Sequence, residues 1–168
     1  MKTLTDHLAQ YAAYHRDPRN ISTHFVGVPM IVLAVATLLS GASFDLGTIS
    51  ISLAMLVTAA TCIFYFRLDF RFGAIMTALL AITLIVANLL ASLSTSNWLM
   101  AGIGLFVIGW IIQFVGHYYE GKKPAFVDDL VGLLVGPLFL VAEAAFALNL
   151  RLDVKEAVES RVGKVRRR

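Results

Sequence analysis

The stretch FGAIMTALLAITLIVANLLASL, residues Phe72–Leu93, decides the fold of this chain. It carries no charged side chain, and it exceeds the roughly 20 apolar residues that cross the hydrocarbon core of a bilayer as a helix. Three more apolar stretches, Phe25–Leu39, Gly47–Phe66 and Trp98–Val115, also lack charged residues, although the first is short for a span. Such runs are typical of transmembrane helices, so the sequence predicts four of them.

The composition also indicates a membrane protein, because 58% of the 168 residues are hydrophobic and only 15% are charged. The Lys and Arg residues lie between the apolar stretches and do not form a basic groove interleaved with aromatic residues, so we expect no nucleic-acid partner. The single cysteine, Cys62, excludes an intramolecular disulfide and a thiolate metal cluster. Polar residues near the start, Asp6 and His7 among them, predict that no signal peptide is cleaved.

A fifth apolar stretch, Leu130–Leu150, contains Gly136-Pro137 and an ionisable residue, Glu143. Proline removes a helical hydrogen bond, so we expect an interruption near the middle of this stretch. It either spans the membrane or turns back within it. Seven of the positive residues follow it, and they would lie outside the cell if it crossed, which favours a re-entrant or in-plane segment.

The distribution of positive charge predicts the orientation of the helices. The connections Ser40–Leu46 and Ser94–Asn97 contain no Lys or Arg, whereas the other connections do. By the positive-inside rule, the termini and the charged connections face the cytoplasm. The charges that define this face are Lys2, Arg16, Arg19, Arg67, Arg71, Lys122 and Lys123.

These patterns predict an all-α fold, a polytopic membrane helix bundle with one domain over residues 1–150. Residues 1–16 form an interfacial helix that Asp17-Pro18 terminates, and Asn20 or Ser22 caps the next helix. The membrane helices occupy residues 25–150. Residues 151–168 form a basic amphipathic tail, an exposed helix on the anionic inner surface of the membrane.

All four histidines map to the inner-face ends of helices. Gln113, His117 and Glu120 share one helical stripe, and His15 and His24 are separated by a short loop. Imidazoles with a few oxygen ligands suit a divalent metal such as Fe(II), Zn or Cu. The alternative is that each histidine is hydrogen-bonded at the headgroup level. Glu143 is a further candidate, since a carboxylate in an apolar membrane segment is costly.

Two motifs link these candidates to a known family. One is Tyr14-His15-x4-Asn20-x3-His24-x2-Gly27-x-Pro29, and the other is Gly109-Trp110-Ile111-x-Gln113-Phe114-Val115-Gly116-His117, followed by Glu120 and Pro124-Ala125. Together they resemble the 2-hydroxy fatty acid dioxygenase family of small membrane proteins. The resemblance runs from about Tyr11 to Leu150 and includes Asp128 or Asp129, Pro137 and Glu143.

The resemblance implies an Fe(II)-dependent enzyme of fatty-acid α-oxidation in phytosphingosine degradation, which uses O2 to shorten a long-chain 2-hydroxy fatty acid by one carbon. It implies that His15, His24 and His117 are the metal ligands, with Glu120 or Glu143 as a supporting carboxylate. Asn20 and Gln113 would support these ligands, and His7 has no counterpart in the motifs. The oligomeric state is left open.

Two other functions compete with this interpretation. A small transporter or lipid-binding scaffold would use the His and Glu residues as a proton or headgroup site. A di-iron hydroxylase or desaturase would carry about eight histidines in HxxxH boxes, and four without such boxes are too few. The membrane would be the bacterial inner membrane, or the endoplasmic reticulum in a eukaryote.

Overall fold

The computed structural model describes residues 2–124 and 130–166, and within them the fold is almost entirely helical. The all-α prediction is therefore confirmed. The contacts group the chain into two compact units, Met1–Val28 with Ile111–Arg168, and Pro29–Trp110. The elements, in chain order, are α1 (Leu4–Ala12), α2 (Pro18–Ser40), β1 (Ser43–Leu46), β2 (Ile49–Ser52), α3 (Leu53–Leu68), α4 (Phe70–Ala91), α5 (Thr95–Glu120), α6 (Gly132–Ala147) and α7 (Leu152–Val162).

Three helices of the described residues, α2, α4 and α5, are long and apolar enough to cross a membrane. The α3 helix is apolar but has only 16 residues. In the unit Pro29–Trp110, α3 and α4 pack together across a single residue, Asp69, whose side chain accepts the Phe72 N–H at 2.9 Å. The outer surface of α4 exposes Ile82, Ile85 and Leu89, as expected for a helix that faces lipid.

The second span was predicted to start at Gly47, and this boundary is wrong. Residues 43–52 form an antiparallel hairpin in which Ser43 pairs with Ser52, and Gly47 takes a φ of +67° in its turn. The helix begins only at Leu53, where the Ser52 side chain accepts the N–H of Met55 at 3.2 Å. A glycine that tolerates positive φ and a serine cap shorten the helix at this end.

The predicted interruption at Gly136-Pro137 is also wrong, because α6 runs through Pro137 without a break. The carbonyl that loses its N–H partner, that of Leu133, lies in the first turn of α6. The break comes later, where Asn149 and Arg151 have φ values of 58° and 52°. There the chain bends by 113° into α7, so that α6 and α7 together count as one broken span or a re-entrant segment.

The terminal helices belong to the same unit and pack against each other. Thr3 and Asp6 form a capping box at the start of α1, which contacts both α6 and α7. Val154 and Val158 of α7 are buried, so the predicted tail helix is exposed on one face and packed on the other. These two valines are buried against protein, whereas Leu152 of the same helix is exposed.

The α2 helix begins at Pro18, earlier than the predicted cap at Asn20 or Ser22. Proline is favoured at the first helical position because its missing N–H would have no partner there. The Asp17 side chain accepts the N–H of Arg19 at 2.9 Å and fills the role of the cap. Asn20 is therefore released for contacts elsewhere.

Candidate metal centre

Three histidines converge within the unit formed by the two ends of the chain. His15 lies in the loop between α1 and α2, His24 in the second turn of α2 and His117 in the last turn of α5. Each offers one ligand atom, and these atoms all lie within 4.8 Å of one another. The ring centroids are 4.4 Å apart for His15 and His24, and each is 5.0 Å from that of His117. All three side chains are buried.

Backbone carbonyls fix which nitrogen of two of these rings faces the others. The Nδ1 of His15 lies 2.8 Å from the Tyr11 oxygen, and the Nδ1 of His24 lies 2.8 Å from the Asn20 oxygen. A carbonyl oxygen only accepts, so each Nδ1 must donate its hydrogen. The two Nε2 atoms face each other at 2.9 Å. In neutral rings both would present lone pairs, an arrangement that a bound cation relieves.

The surroundings keep His15 uncharged. Its ring stacks on that of Tyr11 with centroids 4.1 Å apart, and Phe139 lies 5.6 Å away. Burial, together with the neighbouring imidazole of His24, holds the pKa of His15 well below its usual range. At neutral pH its Nε2 lone pair is therefore available, as a metal ligand requires.

Glu120 holds the loop that carries His15. Its Oε2 atom accepts hydrogen bonds from the backbone N–H groups of Arg16 at 2.9 Å and Asp17 at 2.7 Å. The side chain of Asn20 donates to the same oxygen at 3.2 Å and to the Tyr14 carbonyl at 3.1 Å. Among the described residues, the group of converging ligands does not include Glu120. Glu120 therefore acts on His15 through the backbone.

Glu143 lies apart from the three converging histidines and pairs with Arg16, whose Nη2 is 3.6 Å from its Oε1. Gln113 is buried one turn before His117, and its Oε1 has no hydrogen-bond partner among the described residues. His7 is half-buried on α1 and does not belong to the three-histidine group. Ala125, Asp128 and Asp129, which the family motifs include, lie outside the described residues.

The helices that carry His24 and His117 approach closely at Gly116. A methyl group there would overlap the Thr23 hydroxyl and the Asn20 side-chain oxygen. Only glycine permits this spacing between α2 and α5 at the level of the histidines. The buried stripe Gly109, Gln113, Gly116, His117 and Glu120 is the one that the sequence periodicity indicates.

Sequence reasoning missed the role of Arg16, which it counted only as an orientation charge. The guanidinium is buried, and its Nε donates to the carbonyl of His15 at 2.8 Å. Its Nη1 donates to the carbonyl of Gly163 at 3.0 Å. The position of Arg16 directly after His15 was the one feature of the sequence that could have indicated this role. Its partners Glu143 and Gly163 lie too far along the chain for sequence spacing to reveal them.

Comparisons with known proteins identify relatives of this chain. The family model "2-hydroxy-palmitic acid dioxygenase Mpo1-like" matches residues 1–148. The 2-hydroxy-palmitic acid dioxygenase MPO1 of Saccharomyces cerevisiae is 34% identical over 159 residues, which cover 93% of this chain and 87% of the yeast protein. No solved structure matches the chain. The chain belongs to the Mpo1-like family of dioxygenases.

Proposed function

We propose that this protein is an Fe(II)-dependent membrane dioxygenase that shortens long-chain 2-hydroxy fatty acids by one carbon. The observation that carries the proposal is the buried group of His15, His24 and His117, found in a chain of a dioxygenase family. The yeast relative is named for its substrate, 2-hydroxy-palmitic acid, and this name supports the proposed substrate class.

The three histidines fit a metal of this kind. Neutral imidazoles bind borderline divalent ions, and two of these rings already have their second nitrogen fixed by a carbonyl. Zinc has no redox chemistry, so a reaction with O2 favours Fe(II). When bound, Fe(II) would supply the redox chemistry with O2 and bind the hydroxyl and carboxylate of the substrate.

The protein's own residues hold and shield this site. His15, His24 and His117 would supply three ligands, which leaves coordination positions for substrate and O2. The hydrogen bonds that the backbone N–H groups of Arg16 and Asp17 donate to Glu120 fix the loop that presents His15. The packing of Tyr11 and Phe139 against His15 excludes water from one side of the ring.

The membrane setting suits an amphiphilic substrate. The apolar helices offer hydrocarbon to an acyl chain, whereas His15, His24 and His117 lie at the ends of α2 and α5 where these helices leave their apolar stretches. The arrangement of Lys and Arg supports an orientation with this end of the protein, and both termini, on the cytoplasmic face.

The test begins with metal content. The purified protein in detergent is loaded anaerobically with Fe(II), and O2 uptake is followed with 2-hydroxy-palmitic acid. Palmitic acid, which lacks the 2-hydroxyl, is the matched control. We expect one iron per chain and O2 consumption with 2-hydroxy-palmitic acid but not with palmitic acid. The product should be one carbon shorter than the substrate. Iron without turnover would point to another substrate, and absence of specific metal binding would favour a transporter or scaffold.

A further inference from the structure

The end of the chain touches the loop of the candidate metal centre, although the family match ends at residue 148. The N–H of Arg166 donates to the carbonyl of Arg16 at 2.9 Å. In return, the Arg16 guanidinium donates to the carbonyl of Gly163 at 3.0 Å. Gly163 and Arg166, here named the C-terminal clasp, therefore bind the residue that directly follows His15.

The clasp also reaches the carboxylate that supports this loop. The side chain of Glu120 is 0% exposed, and its Oε1 forms an ion pair with Arg166 at 3.6 Å. Its Oε2 is already occupied by three N–H donors. A buried carboxylate is costly unless it is paired, so the charge of Arg166 offsets part of the cost of burying Glu120.

The clasp is held in position by packing of the helix before it. Val154 and Val158 of α7 are buried, and α7 contacts α1. The Arg161 side chain forms a 2.6 Å ion pair with Asp6. Because α7 is anchored in this way, the clasp reaches the loop without the entropy cost of ordering a loose terminus.

We propose that the C-terminal clasp is a positioning element of the metal centre, and that Arg166 positions His15 through Glu120 and the backbone of Arg16 and Asp17. The proposal rests on the metal site of the proposed function. An ordinary surface ion pair would contribute little. Here one partner is completely buried, and its other oxygen holds the segment that carries a ligand, so loss of Arg166 shifts the ligand.

The experiment compares three variants of the full chain in detergent. Arg166→Gln removes the positive charge, whereas Arg166→Lys keeps it. Lys164→Gln removes one positive charge from an exposed side chain of the same segment. Co(II) affinity and its visible absorption report on the metal centre. Hydrogen exchange of the Arg16 and Asp17 amides in the metal-free protein reports on the loop.

We expect Arg166→Gln to weaken Co(II) binding by about tenfold, which is typical for loss of a group that supports a metal ligand. It should also alter the Co(II) spectrum and speed exchange at both amides. Arg166→Lys should recover most of each effect, and Lys164→Gln should match the wild type. If Arg166→Gln leaves Co(II) affinity and amide exchange unchanged, the inference about the clasp is overturned but the proposed function is not. Absence of Co(II) binding by the wild type would instead overturn the proposed function. The hydrogen-exchange rates of the Arg16 and Asp17 amides would still test whether the clasp holds the loop.

Discussion

The Nε2 atoms of His15 and His24 lie 2.9 Å apart, while the opposite nitrogen of each ring faces a backbone carbonyl. Two nitrogen lone pairs at this distance repel each other unless a proton or a metal ion lies between them. Burial disfavours the proton on His15, since it holds the pKa of that ring well below its usual range. Together with His117, whose ligand atom lies within 4.8 Å of the other two, the pair forms a group that could hold a metal ion.

Replacement of any of these histidines should remove the metal. His15→Ala, His24→Ala and His117→Ala are each expected to abolish stoichiometric metal binding and activity without preventing membrane insertion. His7→Ala, on α1 and outside the group, should retain both. Metal content per chain after gel filtration is the measurement. Equal metal content in all four variants would contradict the assignment of the site.

We expect Glu120 to stabilise the loop that carries His15. Glu120→Ala leaves the N–H groups of Arg16 and Asp17 and the Asn20 amide without their acceptor, at a cost of about 1–3 kcal/mol for each buried group that stays unsatisfied. Glu120→Gln keeps an acceptor oxygen, so its loss should be smaller. Denaturant unfolding of the metal-free variants measures this order, and a Gln variant less stable than the Ala variant would contradict it.

The close approach of α2 and α5 can be tested with one methyl group. Gly116→Ala should cost about 1–3 kcal/mol of stability by overpacking against Thr23 and Asn20, and it should weaken metal binding. Gly104→Ala is the matched control on the same helix, because no other part of the described structure, apart from the adjoining helix backbone, lies within 4 Å of the added carbon. Thermal unfolding of both variants, with and without metal, is the measurement. Similar behaviour of the two would show that the spacing at Gly116 is unimportant.

The ion pair between Asp6 and Arg161 should make the packing of α1 against α7 sensitive to acid. The hydrogen bond from Arg161, and those from Thr3, hold the pKa of Asp6 below its usual value of about 3.9. Because the folded pKa is lower than the unfolded one, the stabilisation is fully present above about pH 3.9 and is lost as pH falls below it. Asp6→Asn should remove this dependence.

Arg161→Gln separates the ion pair from the helix cap, since the Asp6 contacts with Thr3 remain. Hydrogen exchange of α7 at about pH 5 and about pH 3, on either side of the usual aspartate pKa, is the measurement. The difference between wild type and Arg161→Gln should shrink at the lower pH. A difference of the same size at both values would refute the linkage.

The sequence alone predicts the fold class well, but it predicts the convergence of the site residues less directly. Hydropathy identified the apolar helices because each of them is set by its own residues. The motifs singled out His15, His24 and His117, and the structure brings them together. Their role as metal ligands stays a prediction. Periodicity alone could not show this convergence, since it depends on packing between distant helices.

The errors have local and long-range causes. The hairpin at residues 43–52 follows from a turn glycine and a serine cap inside an apolar stretch that hydropathy treats as uniform. The break after α6 lies at two residues with positive φ that are not glycine, a signal weaker than the proline inside the helix. The contacts of Arg16 with Gly163 and of Glu120 with Arg166 come from a segment that composition alone describes as a solvated tail.

The order of synthesis constrains when the metal centre can form. The backbone of Arg16 and the carboxylate of Glu120 are 104 positions apart in the chain, and the contacts of Arg166 come later still. Contacts between such distant segments are slow to form, because loop closure must precede any stabilisation. While the ribosome is still producing the middle helices, His15 and His24 lack their third neighbour. The three-histidine group therefore assembles late, and a nascent chain that has not yet reached His117 cannot form it.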